Sequence, residues 1–485
     1  MNYKMLFRIC GRVLILEAGF MLLPAAVSLC YGEFHAALAF VGGVFFTLCA
    51  GFILGILLSR GAEKGFYARE GLVVTGLCWI IMSAFGAIPF VLNGDIPSYT
   101  DAFFEMASGF TTTGASIIPN VEVMSHGTLF WRNFSNWIGG MGVLVFLLAI
   151  SSSKSKDSGF TLHILRAESP GPSVGKIVPK MRQTATILYL IYIALTILNT
   201  IFLMAGGMPA FEAVCHAMGT AGTGGFGVKA DSFTSYSPYI QNVTTVFMLL
   251  FGVNFSIYYL ILMKKLKAAF FDEEVKLYFA IVVASSLLIA WNIRGLYGTL
   301  EETLRTSFFQ VASMITTTGF ATADFDAWPV FSKSLILFLM IVGACAGSTG
   351  GGMKCARVLL LLKSLRRNIK KNLHPRTVQV ININKREVSE DVISNTNAYL
   401  AAYFTIVVIL VVFLSLDGFS IETNLSAALC TFNNIGPGLA KVGPTCNFSE
   451  YSDLSKILLS FAMITGRLEI FPILSLFSRS TWKKV

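Results

Sequence analysis

The chain has 485 residues, of which 54% are hydrophobic and 13% are charged, with a formal net charge of +10. Soluble globular domains carry about 25% charged residues, so the composition excludes an ordinary soluble enzyme or binding domain. Two stretches, 183–211 and 232–263, contain no Asp, Glu, Lys or Arg. Each is longer than the ~20 apolar residues that a transmembrane helix needs. The sequence therefore predicts an integral membrane protein.

Hydrophobic segments along the chain predict ten membrane crossings. They lie near residues 10–31, 35–59, 71–93, 133–153, 183–205, 240–263, 277–293, 334–362, 395–416 and 455–478. An even number of crossings places both termini on one side, and most of the 37 Lys and Arg residues fall in segments on that side. The positive-inside rule makes it the cytoplasmic side. The basic N-terminus precedes an apolar run with no small-residue cleavage site, which indicates a retained first helix.

Internal repetition is the most informative feature of the chain. An apolar helix, a shorter amphipathic stretch, a glycine-centred tetrad and a second apolar helix follow one another four times. The tetrads are Thr112-Thr113-Gly114-Ala115, Thr223-Gly224-Gly225-Phe226, Thr317-Thr318-Gly319-Phe320 and Asn434-Ile435-Gly436-Pro437. One such turn alone is usually a loop. Four in register with the hydropathy point to irregular backbone at membrane depth, which requires protein or a water-filled cavity around it.

The shorter stretch before each tetrad is too polar to cross a membrane. These stretches are 99–111, 209–222, 300–316 and 421–433. Each carries acidic residues near its beginning, namely Asp101 and Glu105, Glu212, Glu301 and Glu302, and Glu422. Acid in the first turn complements the positive end of a helix dipole. We therefore expect four half-helices, each part of a re-entrant hairpin.

The repeats divide the chain into five predicted units. A two-helix hairpin precedes the first repeat, and the third repeat also contains a basic cytoplasmic loop. The units are 1–69, 70–182, 183–273, 274–391 and 392–485. The predicted fold class is an all-α membrane protein with four helix–pore-loop–helix repeats around one pseudo-fourfold pore, preceded by an extra hairpin.

The tetrads have the residue types of a cation selectivity filter. Larger cations take about six to eight oxygen ligands, and rings of backbone carbonyls supply them in potassium filters. Glycine permits the φ values that turn successive carbonyls the same way, and a preceding threonine adds a hydroxyl oxygen. We therefore predict that potassium binds at Thr112, Thr113, Gly114, Thr223, Gly224, Gly225, Thr317, Thr318, Gly319, Asn434, Ile435 and Gly436.

A further motif lies in the second helix of each repeat. The motifs are Trp137-Ile138-Gly139-Gly140-Met141-Gly142, Phe251-Gly252-Val253-Asn254-Phe255, Gly347-Ser348-Thr349-Gly350-Gly351-Gly352-Met353-Lys354 and Gly466-Arg467-Leu468-Glu469. With these motifs the chain resembles, over its whole length, the membrane subunits of Trk potassium-uptake systems in the Trk/Ktr/HKT superfamily. The extra N-terminal hairpin resembles the TrkH branch.

The resemblance bears on ion selectivity. In plant relatives, serine at the first filter position accompanies sodium preference, so Gly114 favours potassium by analogy. The fourth tetrad departs from the threonine-containing pattern because Asn434-Ile435 precedes its glycine and Pro437 follows it. We expect this departure to leave one hydroxyl ligand unfilled and to make the ring asymmetric.

Glycines interrupt the eighth hydrophobic segment. Residues 343–352 include five glycines, and each costs about 1 kcal/mol relative to Ala inside a helix. A packing kink of small residues is the structural alternative. In Trk proteins the corresponding segment forms an intramembrane loop under the filter. The resemblance therefore implies a gate that contains Gly347, Ser348, Thr349, Gly350, Gly351, Gly352, Lys354 and Arg467.

Two ionisable residues fall inside predicted crossings, where a charge costs about 2.5–3.5 kcal/mol on insertion scales. For Arg467 the alternative to a pathway position is a local pair with Glu469, but residues two apart face different sides of a helix. We expect Arg467 to face the ion pathway near the gate. For Glu17 we expect a Lys or Arg partner near the inner face.

The predicted function is potassium uptake across a bacterial cytoplasmic membrane, with rubidium accepted in place of potassium and sodium passing weakly. The resemblance implies a homodimer and a cytoplasmic nucleotide-binding regulatory ring of the TrkA type. The ten basic residues in 354–391 suit docking of that ring. Beyond these partners we expect contact with membrane lipid, no nucleic acid, no covalent cofactor and no enzymatic activity.

Two points bear on the alternatives. The pattern G-x-G-x-x-G at 222–227 does not follow a strand, so it is not a dinucleotide site, and any nucleotide would bind the partner. A secondary transporter that couples potassium to protons or sodium is the alternative function. Such a protein would have a titratable group in the ion path, and the tetrads contain none. The sequence does not decide between channel-like and coupled transport.

Overall fold

The computed structural model describes residues 1–61, 68–142, 181–377 and 379–482. As predicted, these residues are predominantly helical; the one strand pair among them is a short hairpin. The end of the predicted crossing at 133–153 falls outside the described residues. So do parts of three basic segments that count toward the predicted cytoplasmic side, namely 60–69, 154–182 and the C-terminal residues.

The described residues form twenty α-helices and two strands. The first ten helices are α1 (Tyr3–Cys30), α2 (Phe34–Phe52), α3 (Ala68–Gly86), α4 (Ile88–Asn93), α5 (Tyr99–Phe110), α6 (His126–Gly140), α7 (Met181–Ala205), α8 (Ala210–Gly222), α9 (Pro238–Phe251) and α10 (Phe255–Leu262). The others are α11 (Leu266–Phe270), α12 (Glu273–Ile293), α13 (Leu300–Ile315), α14 (Val330–Val342), α15 (Cys355–Leu373), β1 (Asn382–Ile383), β2 (Arg386–Glu387), α16 (Glu390–Leu414), α17 (Ile421–Phe432), α18 (Asp453–Arg467), α19 (Phe471–Phe477) and α20 (Arg479–Trp482). A π-helical turn at Ile53–Leu57 continues α2.

Among the described residues, six helical segments are long and apolar enough to cross a membrane. They contain α1, α2, α3 with α4, α7, α12 and α16. The pair α9 and α10 makes a seventh if it is counted as one span, but the two helices are bent by 87°. The predicted crossings at 240–263, 334–362 and 455–478 are each divided between two helices, namely α9 and α10, α14 and α15, and α18 and α19. The number of crossings stays a prediction.

The second helices, α6, α9, α14 and α18, have 13 to 15 residues. Two of them end where a half-helix meets them. A Cβ at Gly139 would overlap the carbonyl oxygen of Phe110, at the end of α5, and a Cβ at Gly466 would overlap that of Phe432, at the end of α17. Because glycine has no Cβ, the backbones approach closely at these points.

The half-helices α5, α8, α13 and α17 begin and end within one residue of the predicted bounds. Three of them begin with a side-chain cap. Ser98, Thr299 and Ser420 each accept a hydrogen bond from the backbone N–H three residues later. Such caps satisfy amide groups that have no partner within the helix. Each half-helix also has an acidic residue in its first turn.

Several of these acidic residues join one repeat to the next. Lys456 of α18 pairs with Asp101 of α5 at 2.6 Å, and Lys333 of α14 pairs with Glu422 of α17 at 3.3 Å. Similarly, Arg305 of α13 donates a hydrogen bond to Gln241 of α9, so a second helix again contacts the half-helix of the following repeat. Contacts from the second helix of one repeat to the half-helix of the following repeat arrange the repeats around a common centre.

Candidate ion pathway

The four tetrads share one backbone conformation, with positive φ at the first and third residues. The first residues are Thr112 (56°), Thr223 (54°), Thr317 (58°) and Asn434 (55°). The glycines in third position are Gly114 (77°), Gly225 (66°), Gly319 (84°) and Gly436 (101°). In every tetrad the second residue donates its N–H to the carbonyl five residues earlier, at 2.8–2.9 Å. Positive φ is uncommon outside glycine, and its repetition at four equivalent places supports a functional role for this turn.

The tetrads form a closed ring. A Cβ added to a central glycine would meet the carbonyl oxygen of the second residue in the next tetrad. The pairs are Gly114 with Gly224, Gly225 with Thr318, Gly319 with Ile435, and Gly436 with Thr113. The structure therefore brings all four predicted filter segments together in chain order, with backbone carbonyls between neighbours.

Two first-position side chains offer oxygen atoms that are not otherwise used. Thr112 Oγ1 and Asn434 Oδ1 are buried and have no hydrogen-bond partner among the described residues. The Asn434 amide nitrogen donates to Thr113 Oγ1 at 2.9 Å and to the Met463 carbonyl at 2.8 Å. The fourth repeat therefore lacks the hydroxyl, as the sequence shows, but provides an amide oxygen at the same position of the tetrad.

A non-helical loop, residues 343–354, connects α14 to α15 and lies against the carboxyl ends of two half-helices. Gly351 N–H donates to Thr317 Oγ1 at 2.6 Å, and Gly352 N–H donates to the Asn433 carbonyl at 3.0 Å. A Cβ at Gly351 would overlap that carbonyl oxygen. The loop thus uses one of the tetrad hydroxyls as a hydrogen-bond acceptor, a contact that a packing kink against a neighbouring helix does not require.

Glu274 of α12 anchors both ends of this loop. Its carboxylate accepts hydrogen bonds from Ala346 N–H at 2.6 Å and from Ala356 N–H at 3.0 Å. Lys354 is 2% exposed and donates from Nζ to the carbonyl of Gly350 within the loop. The loop therefore has a defined conformation that depends on side chains of α12 and on its own lysine.

Arg467 joins the loop to the first repeat. Its guanidinium donates to the carbonyl of Thr349 at 2.7 Å and to that of Gly139, in α6, at 2.6 Å. Glu469, the partner in the alternative interpretation, forms an ion pair with Arg357 at 2.6 Å instead. The structure thus places Arg467 beside the loop; that it faces the ion pathway stays a prediction.

The predicted basic partner for Glu17 is not found among the described residues. Glu17 is 1% exposed, and neither of its carboxylate oxygens has a hydrogen-bond partner among the described residues. A Cβ at Gly86 of α3 would lie 3.0 Å from Oε1. Glu17 therefore faces α3, because the side of α1 on which it lies packs against that helix.

The role of Glu105 was not predicted from the sequence, and no role was predicted for Arg132. Glu105 is fully buried in α5 and forms an ion pair with Arg132 of α6 at 2.7 Å. The prediction that Glu105 complements the amino end of the half-helix together with Asp101 is wrong, because only Asp101 lies in the first turn of α5. Nothing in the sequence indicates that these two residues meet.

The described residues contain no group of three or more His, Cys, Asp or Glu side chains that could hold a metal ion. Within the tetrads, the oxygen atoms that could coordinate a cation are backbone carbonyls, hydroxyls and one side-chain amide. Such ligands suit a weakly held alkali cation in transit.

We expect Arg467→Ala to raise basal rubidium flux in proteoliposomes about tenfold or more, since each charge-assisted hydrogen bond is worth about 1.5–3 kcal/mol and its loss frees the loop. The matched control is Arg479→Ala, which removes an exposed arginine of α20 and should leave flux unchanged. A folded Arg467→Ala protein with lower flux than the parent would show that this arginine supports conduction.

A family model, curated relatives and a solved structure all relate this chain to Trk-type transport proteins. The TrkH family model, described as a cation transport protein, matches residues 37–484. The chain is 35% identical over 494 residues to the Trk system potassium uptake protein TrkH of Salmonella typhimurium, with 100% of each chain covered. It is 30% identical over 489 residues to TrkG of Escherichia coli, with 99% of each covered. The crystal structure of the potassium transporter TrkH from Vibrio parahaemolyticus superposes with a TM-score of 0.89 at 32% identity, covering 100% of both chains.

Proposed function

The chain belongs to the TrkH family of cation transport proteins, and from this premise we propose that it takes up potassium across a bacterial cytoplasmic membrane through the ring of tetrads. The observation that carries the proposal is the contact of each central glycine with a carbonyl of the next tetrad. A ring of carbonyl dipoles replaces the hydration shell of a cation without binding it irreversibly.

In this proposal potassium binds to the first three residues of each tetrad, twelve residues in all. Each of these residues either supplies a ligand oxygen or positions the backbone of one that does. The carbonyls of the second residues, which lie between neighbouring repeats, are the principal ligands. The oxygens of Thr112 and Asn434, which have no hydrogen-bond partner among the described residues, add a further layer at the carboxyl ends of the half-helices. The partial negative charge at those ends also favours a cation.

The loop segment 347–352 is the gate of the proposed pathway. While Gly351 N–H is bound to Thr317 Oγ1, that oxygen is engaged as the acceptor of a backbone hydrogen bond. Lys354 places one positive charge on this loop, and Arg467, at the end of α18, places a second beside it. Movement of the loop away from the tetrads would free the hydroxyl and withdraw the charge of Lys354, and both changes lower the barrier to a cation.

A cytoplasmic nucleotide-binding ring of the TrkA type is the proposed regulator, with nucleotide bound on that partner, and the membrane protein acts as a homodimer. The family resemblance supports both assignments. In addition, Arg366, Lys370 and Lys371 of α15 are exposed, on the helix that continues directly from the loop. A partner that binds this basic helix is therefore in a position to move the gate.

The deciding experiment measures reversal potentials of the purified protein in liposomes under bi-ionic potassium and sodium conditions, with and without a pH gradient. We expect the reversal potential to follow the potassium gradient and to be unaffected by pH. A potential that shifts with the proton or sodium gradient in fixed ratio would establish coupled transport and contradict an uncoupled pathway.

A further inference from the structure

The buried ion pair between α5 and α6 lies next to the ring but outside it. Arg132 Nε donates to Glu105 Oε1 at 2.8 Å, and a second guanidinium nitrogen lies 2.7 Å from the same oxygen. The side chains are 2% and 0% exposed. Two charges removed from water in this way are costly unless further hydrogen bonds satisfy them. The other hydrogen-bond partners of Glu105 and Arg132 therefore show how the cost of burying the two charges is offset.

The Glu105 carboxylate binds the segment that follows the first tetrad. Ser116 Oγ donates to its two oxygens at 3.1 and 3.2 Å, and Ile117 N–H donates to Oε2 at 3.1 Å. Ser116 also accepts a backbone hydrogen bond from Phe448 of the fourth repeat at 2.9 Å. Glu105 thus determines where the chain leaves Gly114, at the junction with the fourth repeat.

The Arg132 guanidinium reaches the second tetrad. It lies 4.1 Å from the centre of the Phe226 ring, in a cation–π contact, and donates to the Gly227 carbonyl at 3.4 Å. Phe226 directly follows Gly225 in that tetrad. The Glu105–Arg132 pair therefore connects the outgoing segments of the first two tetrads, on the side of the ring away from the half-helix carboxyl ends.

Two other repeats make the corresponding contact without charge. Gln310 Oε1 of α13 accepts from Thr322 N–H at 3.2 Å, and Ser426 Oγ of α17 accepts from Leu439 N–H at 3.0 Å. Gln310 and Thr322 are twelve residues apart, the same separation as Glu105 and Ile117. A neutral acceptor is therefore sufficient to fix a strand after its tetrad, and the charged pair in the first repeat must be explained by something else.

We propose that Glu105 and Arg132 are positioning residues that determine cation selectivity by fixing the spacing between the first and second tetrads. The proposal rests on the assignment of the tetrads as the filter. Charge-assisted hydrogen bonds are shorter and stronger than neutral ones. A desolvated pair in which two guanidinium nitrogens contact one carboxylate oxygen therefore restricts both partners more tightly than a single neutral hydrogen bond does. Glu105 holds Ser116, which follows the first tetrad, and Arg132 holds Phe226, the last residue of the second. The pair therefore fixes the positions of Gly114 and Gly225, which are adjacent in the ring.

The test uses the double variant Glu105→Gln/Arg132→Met. Glutamine keeps an acceptor for Ile117 N–H, as Gln310 does for Thr322, and both buried charges are removed together. Single variants would leave one buried charge unpaired and are expected to fold poorly. We expect the double variant to be recovered folded on gel filtration and to conduct rubidium, but with a potassium-to-sodium permeability ratio lower by about threefold or more, as for substitutions that act through neighbouring residues.

The matched control is Glu450→Gln/Lys441→Met, which removes an ion pair of 3.0 Å whose side chains are each 57% exposed. This control should keep the parental ratio. A folded double variant at 105 and 132 with the parental ratio overturns the proposal. Gly114→Ser is measured in parallel, because an unchanged ratio in that variant would contradict the filter assignment itself rather than the role of the pair.

Arg132→Lys decides the question if the double variant does not fold. Lysine keeps the charge beside Glu105 but lacks the planar fork that bridges two groups, so the contacts to Gly227 and Phe226 are lost. A folded Arg132→Lys protein with a lowered ratio supports the proposal. The parental ratio in that protein contradicts it.

Discussion

Deletion of several residues within 347–352 should give a folded protein that conducts potassium faster than the parent and depends less on its cytoplasmic partner. The loop is bound to the filter region through Gly351 and Gly352, and shortening it removes both hydrogen bonds. If the open state is normally a minor one, populated at about 0.1–10%, removal of the gate raises flux about tenfold or more. Rubidium uptake into proteoliposomes measures the change.

A point substitution gives an independent test of the same gate. A Cβ at Gly351 would overlap the Asn433 carbonyl oxygen, so Gly351→Ala should displace the loop without shortening the chain. Gly298→Ala is the matched control because no atom lies within 4 Å of the added Cβ. Gel filtration reports folding for every variant. Folded proteins with a shortened or displaced loop whose flux equals that of the parent would refute the gate.

Gly114→Ser should reduce the preference for potassium over sodium about tenfold, because an L-residue in the left-handed region costs about 1–2 kcal/mol and that strain must be relieved within the ring. Gly114 has a φ of +77°, and the added Cβ would overlap the carbonyl oxygen of Gly224. One carbonyl ligand therefore has to move. Bi-ionic reversal potentials of the variant in liposomes give the permeability ratio.

Two other glycines separate the causes of this effect. Gly94 has a φ of +82° with no atom within 4 Å of an added Cβ, so Gly94→Ser has the backbone strain without the overlap and should keep the parental ratio. At Gly436 the Cβ would lie 2.9 Å from the Thr113 carbonyl oxygen, which is less severe than at Gly114. We expect Gly436→Ser to have an intermediate effect. Equal ratios for Gly114→Ser and the parent would remove the basis for a glycine-determined filter.

Features that depend on neighbours in the sequence were predictable from the sequence alone. The half-helices α5, α8, α13 and α17 were found because hydropathy, first-turn acids and a following glycine all act within a few residues. The glycines that need positive φ, such as Gly114 and Gly319, were found for the same reason. The non-helical loop at 343–354 follows directly from five glycines in ten residues, since they remove helix propensity locally.

Features that depend on which surfaces meet were decided by the tertiary structure. Asp101 and Lys456 are 355 residues apart in the chain, and Arg467 and Gly139 are 328 apart. No local pattern encodes such a pairing, because it depends on the packing of whole repeats around the ring. The ends of two short second helices, α6 and α18, have the same origin, since they lie where half-helix carbonyls contact Gly139 and Gly466.

The buried carboxylates show the difference most clearly. Glu17 and Glu105 are both buried, yet one has no hydrogen-bond partner among the described residues while the other binds Arg132. A sequence shows that each charge is costly to bury. Only the direction in which each helix faces its neighbours determines whether that cost is met by an arginine, and three-dimensional packing alone specifies that direction.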